Sequence, residues 1–88
     1  GILSTHIKAD GRHGDKMWVP TGFSNVRKED EPTFVHMLGK EVFRFAVEAL
    51  DAIVEETLAA NQLAKSDIDW LVPHQANARI ISATAKRL

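Results

Sequence analysis

Apolar residues recur at helical spacing along one long stretch of the chain, "GKEVFRFAVEALDAIVEETLAANQ". Phe43, Ala46, Val47, Leu50, Ile53, Val54, Thr57 and Leu58 follow steps of three and four and form one broad stripe. Glu41, Glu48, Asp51, Glu55 and Glu56 fall mostly on the opposite side. The spacing predicts a helix over roughly residues 40 to 60, about 30 Å long. Asn61 is the expected left-handed residue at its end. So wide a stripe calls for a partner surface. A second helical pattern, Ile80, Ile81, Thr84 and Leu88, runs through "NARIISATAKRL", with Asn77 placed to cap it.

Two other stretches read as strands. In "GILSTHIKAD", Ile2, Leu3, Thr5 and Ile7 favour extended backbone until Asp10-Gly11 makes a turn. Ile68–Val72 is a run that a sheet covered on both faces would bury, and Pro73 ends it. A short loop at Ser66 or Asp67 leads into it, and "PTFVHM" is short and extended. Residues 8 to 32 are rich in turn formers and charge, with an extended piece expected at Met17–Val19. So long an irregular excursion is either a functional loop or a solvated insertion. The order strand, excursion, helix, strand, helix predicts an α/β layered fold with a partly parallel sheet.

Composition narrows the class. With 88 residues there is room for one small domain with a marginal core. A net charge of −1 with 26 % charged residues describes a soluble protein and excludes a strongly basic nucleic-acid binder. No apolar run approaches the ~20 residues of a membrane-spanning helix, and no signal peptide opens the chain. Cysteine is absent, which removes disulfides, thiolate metal sites and a thiol nucleophile. A first residue of glycine, followed at once by a strand pattern, suggests a piece of a longer protein.

The chemistry concentrates at "DWLVPHQANARII". His74 stands where the expected strand hands over to a helix, and ligand sites in open α/β sheets collect at such strand ends. The positive end of the following helix disfavours an imidazolium. A neutral His74 could then donate an N–H to an oxygen gaining negative charge. The alternative is a histidine that simply hydrogen-bonds at a strand end. His6, His13 and His36 share no metal-ligand spacing with each other or with His74, so no metal site is expected. Arg79 and Lys86 lie seven apart on one helix face, with Arg87 beside them, and Arg44 lies on the outer side of the first helix. They make either a basic patch for phosphate or an acidic partner, or ordinary cations near a helix C-terminus. Gly39 could cap the long helix or let a ligand pass close to the backbone, and Phe43 fits simple core.

"DWLVPHQANARIISATAKRL", with "MLGKEVFRFAVEAL" and "IVEETLAAN" before it, resembles the β-ketoacyl-acyl-carrier-protein synthase III family. The resemblance runs over nearly the whole chain and is weakest from Lys8 to Thr33. It implies the thiolase fold, with residues 1-36 ending an N-terminal half and 37-88 starting a C-terminal half. It implies an acyltransferase that starts fatty-acid synthesis. A cysteine takes an acyl group, usually acetyl, from acyl-coenzyme A. Malonyl on acyl carrier protein then loses carbon dioxide and attacks the acyl-enzyme, giving 3-oxoacyl carrier protein. Of the family's catalytic cysteine, histidine and asparagine only the histidine matches, as His74.

The same resemblance places Met37, Gly39, Phe43, Ala76 and Asn77 along a pantetheine tunnel. It places Arg44, Arg79, Lys86 and Arg87 on the patch that receives carrier protein or coenzyme phosphate. It implies a cytoplasmic homodimer that uses no cofactor, coenzyme A thioester entering as substrate, and no nucleic acid or membrane partner. The nucleophile is expected before this stretch and the catalytic asparagine after Leu88, so the 88 residues alone are expected to be inactive in this reaction. Two other readings are a starter synthase of a polyketide or alkylquinolone pathway and a non-catalytic module that binds carrier protein.

Overall fold

The computed structural model describes residues 1–20 and 34–88. Its regular elements are strand β1 (Met17–Trp18), strand β2 (His36–Met37), helix α1 (Gly39–Ala60) and helix α2 (Ala78–Ala85). Short 3-10 turns occupy Gly11–His13 and Lys65–Asp67. The chain divides into two compact units, one made of Gly1–Lys8 with Phe43–Leu88, the other of Ala9–Val42.

Helix α1 follows the predicted apolar stripe closely. Val47 and Leu58 are buried, and Phe43, Ala46, Leu50, Ile53, Val54 and Thr57 are half-buried. Glu41, Glu48, Glu55 and Glu56 are exposed, while Asp51 is half-buried. Full burial of a Val or Leu side chain contributes about 1.5–3 kcal/mol. The stripe therefore holds the larger unit together. The Thr57 hydroxyl turns back to donate to the Ile53 carbonyl at 2.7 Å, which spares a polar group on that face a partnerless burial.

The end of α1 departs from expectation. The left-handed residue is Gln62, with φ of 57°, and not Asn61. The Leu63 N–H reaches the Leu58 carbonyl at 3.0 Å and the Gln62 N–H reaches the Ala59 carbonyl at 3.3 Å. Those two bonds are a Schellman ending, which satisfies carbonyls the helix leaves open. Asn61 instead uses its side chain, donating to the Thr57 carbonyl at 2.8 Å.

Helix α2 begins as predicted. The Asn77 side-chain oxygen accepts from the Arg79 N–H at 2.9 Å, and Asn77 itself is extended. The helix is shorter than its pattern suggested, with Lys86 as its C-terminal cap residue. Ile80 and Ile81 are half-buried and Thr84 is 1 % exposed. The Thr84 hydroxyl has no hydrogen-bond partner among the described residues.

The expected strands are the main correction. Neither Ile2–Ile7 nor Ile68–Val72 is a strand, and the one ladder among the described residues is antiparallel, pairing Met17 with Met37 and Trp18 with His36. A strand needs a neighbour to take its backbone hydrogen bonds, and neither segment has one among the described residues. Ile2, Ile7, Trp70 and Val72 are accordingly 86 %, 91 %, 86 % and 78 % exposed. Of the turn-rich excursion, residues 21–33 lie outside the described residues.

In the smaller unit, Asp10 opens the Gly11–His13 turn by accepting from the Arg12 N–H at 3.1 Å. The Arg12 guanidinium beside it holds the Asp10 carboxyl far below the usual carboxylate range. The His36 ring is stacked between Trp18 and Phe34, with centroid distances of 4.9 and 5.1 Å. Its Nε2 is shielded and unpartnered among the described residues.

Candidate functional site

The basic residues of α2 meet an aromatic ring of α1. Phe43, Ala78, Arg79, Ser82, Ala83, Lys86 and Arg87 line a shallow cavity of about 560 Å³. On α2 the spacing Arg79, Ser82, Ala83, Lys86 keeps one face turned to the cavity, and the small residues in the middle leave it open. The Arg79 guanidinium lies 5.8 Å from the centre of the Phe43 ring. An apolar floor with a cationic rim suits a ligand that has an aliphatic arm and an anionic end.

The cations on this rim are not equivalent. Arg87 Nη1 stands 3.3 Å from Asp51 Oδ2 on α1. The Arg87 carbonyl also accepts from Lys65 Nζ at 2.9 Å, and Lys65 pairs with Glu55 at 2.6 Å. Hydrogen bonding to Glu55 raises the Lys65 pKa. Carboxylates of the outer α1 face thus tie down the end of α2. Arg79 and Lys86 have no carboxylate partner among the described residues. Arg44 is exposed and does not line this cavity.

His74 sits in the irregular segment between the Lys65–Asp67 turn and α2, three residues before the Asn77 cap. It is exposed, hydrogen-bonds to none of the described residues and does not line the cavity of Phe43 and Arg79. Ala76 and Asn77 beside it are exposed too. Of the expected pantetheine contacts, only Phe43 joins the basic residues in one cavity. Met37, 57 % exposed, and Gly39, the first residue of α1, belong to the smaller unit. Among the described residues no group of histidine and acidic side chains is arranged to hold a metal ion. No helix among them is long and apolar enough to cross a membrane.

One polar cluster was missed by sequence reasoning. His6 Nδ1 lies 2.9 Å from Glu56 Oε1, and Lys8 Nζ lies 2.6 Å from Glu56 Oε2. Ser4 Oγ lies 2.9 Å from His6 Nε2, and the Asn61 amide nitrogen lies 2.7 Å from Ser4 Oγ. Lys8 first, then His6, lowers the Glu56 pKa through hydrogen bonds to its carboxylate. Ser4, His6 and Lys8 alternate in the sequence, the spacing that would put them on one side of the strand expected there. That alternation was the available signal. Their partners lie some 50 residues further along the chain and left none.

Comparison with known proteins finds close relatives for the whole stretch. Residues 58–88 match the family model described as 3-Oxoacyl-[acyl-carrier-protein (ACP)] synthase III C terminal. Over all 88 residues the chain is 60 % identical to the Beta-ketoacyl-[acyl-carrier-protein] synthase III of Thiobacillus denitrificans. It is 56 % identical to that of Methylococcus capsulatus and 59 % identical to that of Pectobacterium atrosepticum, again over 88 residues. In each case all of this chain is covered, and it spans 27 % of the relative's length. By sequence, these 88 residues are similar over their whole length to a part of β-ketoacyl-[acyl-carrier-protein] synthase III proteins.

Proposed function

We propose that this chain supplies the catalytic histidine and part of the carrier-facing surface of a β-ketoacyl-acyl-carrier-protein synthase III. The protein that contains it joins an acyl group, acetyl in this reading, from acyl-coenzyme A to malonyl on acyl carrier protein. Carbon dioxide is lost and 3-oxoacyl carrier protein is made. The chain contains no cysteine, so the acyl-accepting thiol belongs to the roughly three quarters of a relative's length that these residues do not span. Residues 1-36 and 37-88 would then belong to two similar halves, in a cytoplasmic homodimer.

His74 has a defined task in this reaction. As the carbon–carboxylate bond of malonyl breaks, negative charge moves onto the thioester oxygen. An imidazole N–H directed at that oxygen lowers the barrier, and one such donor is typically worth about 10²–10³ in rate. His74 is available for it, being engaged with no acid or other hydrogen-bond partner among the described residues. Met37, Gly39, Phe43, Ala76 and Asn77 would line the path of the pantetheine arm. Arg44, Arg79, Lys86 and Arg87 would meet the phosphate or acidic carrier at its mouth.

The observation that carries this reading is the meeting of Phe43 with Arg79, Lys86 and Arg87 around one cavity. Carrier-bound and coenzyme-bound thioesters both present a flexible aliphatic arm behind a phosphate. An apolar wall beneath cations accepts that combination. The test is to incubate the full-length protein with acetyl-coenzyme A and malonyl carrier protein and to identify the product by mass spectrometry. The reading expects 3-oxobutyryl carrier protein and carbon dioxide. Failure to condense any acyl-coenzyme A with malonyl carrier protein contradicts it.

A further inference from the structure

We propose that Ser4, His6 and Glu56 form a hydrogen-bonded relay that makes Ser4 Oγ a nucleophile toward activated esters. The first bond of the relay is fixed at its far end. The Thr57 carbonyl only accepts, so the Asn61 atom 2.8 Å from it is the amide nitrogen. The same nitrogen lies 2.7 Å from Ser4 Oγ, which therefore accepts there. Accepting there leaves the serine O–H able to donate to His6 Nε2, 2.9 Å away. With the ring proton on Nδ1, His6 Nε2 accepts from the serine and Nδ1–H donates to Glu56 Oε1 at 2.9 Å.

A serine donating to an imidazole whose other nitrogen donates to a carboxylate is the arrangement that activates a hydroxyl. Glu56 is held as a carboxylate by Lys8 as well as by His6. It therefore remains an acceptor that fixes the His6 tautomer. The His6 side chain is 16 % exposed and so largely shielded from competing water. Ser4 is half-buried. All five side chains, Ser4, His6, Lys8, Glu56 and Asn61, belong to the same compact unit.

The step balances without a further reactant. Ser4 Oγ forms a bond to the ester carbonyl carbon as its proton passes to His6 Nε2. The carbon–oxygen bond to the alcohol then breaks, and the alcohol leaves with the proton from Nε2. Glu56 keeps its charge throughout and stabilises the imidazolium formed in between. Asn61, still donating to Oγ, steadies the charge that develops there as the proton departs. The product is an O-acyl serine, formed independently of any condensation.

A fluorophosphonate probe, which is serine-selective, tests this on the full-length protein. Oγ attacks phosphorus, and fluoride leaves together with the serine proton. Peptide mass spectrometry is expected to place the label on Ser4. Labelling should vanish in Ser4→Ala and fall about 100-fold or more in His6→Gln. It should fall at least tenfold in Glu56→Gln, and stay within a few-fold in Lys8→Gln, which leaves the relay whole. Ser4→Ala should keep condensation activity, showing that the fold survives. No label at Ser4, or an equal loss in Lys8→Gln and His6→Gln, overturns the proposal and leaves the condensing reading untouched.

Discussion

The Arg79 guanidinium lies over the Phe43 ring at 5.8 Å from its centre, joining the second helix to the first at the mouth of the basic cavity. A cation over an aromatic face at this range is worth about 0.5–1 kcal/mol when solvent reaches it. The contact also aims the guanidinium, whose planar fork suits phosphate and carboxylate. The pair thus packs the two helices together and holds the guanidinium at the rim of the cavity.

If the cavity receives an acidic carrier, Arg79→Ala should weaken carrier association about tenfold, about 1.4 kcal/mol. It should also lower the sensitivity of that association to salt. Arg79→Lys should recover only part of the loss, because an ammonium does not stack on Phe43 as a guanidinium does. Arg87→Ala should cost less, since Asp51 already takes up part of the Arg87 charge. Titrations of labelled carrier protein into the full-length protein at low and high salt measure all three.

Thr84 offers a test of the interior. Its hydroxyl is buried and unpartnered among the described residues. Thr84→Val keeps the shape and removes the unpaired group, and should raise stability by about 1 kcal/mol. An unchanged or lowered urea midpoint would show that the hydroxyl has a partner.

The left-handed Gln62 offers another. A residue with a side chain costs roughly 1–2 kcal/mol in this conformation, whereas glycine adopts it freely. Gln62→Gly should therefore stabilise the protein by up to about 1 kcal/mol once the looser unfolded chain is counted. The measurement is again the denaturant midpoint, with α1 content followed by circular dichroism.

The attachment of the first eight residues should depend on pH in a defined sense. Lys8 and His6 lower the Glu56 pKa in the folded state. A depressed carboxylate contributes stability that is present above its unfolded pKa and lost as pH falls through its folded pKa. Proton–proton contacts between the side chains of residues 4–8 and those of α1, followed by NMR, should therefore weaken as the solution is acidified below the ordinary glutamate range. Glu56→Gln should remove most of that pH dependence.

The two helices were legible because their apolar spacing is local. Each buried or half-buried position on α1 from Phe43 to Leu58, apart from Asp51, belongs to the predicted stripe. The Asn77 cap and the shared face of Arg79 and Lys86 were legible for the same reason, since i, i+2 and i, i+7 relations need no knowledge of the rest of the chain. The strands were not, because a strand exists only with its neighbours. Ile2–Ile7 and Ile68–Val72 have the composition without a ladder among the described residues. Gln62 was missed because left-handed backbone there is imposed by the Leu63 and Leu58 bond and not by its own residue type. The Ser4, His6 and Glu56 relay was missed because half of it is tertiary.

Replacing His74 by alanine in the full-length protein, with the two half-reactions followed separately, isolates the part the imidazole plays. Carbon dioxide release from malonyl carrier protein should fall about 100-fold or more, the loss expected for one oxyanion donor. Transfer of acetyl from coenzyme A onto the enzyme should stay within a few-fold of the unaltered rate. Decarboxylation that continues at full rate, or an equal fall in both steps, would contradict the assignment of His74.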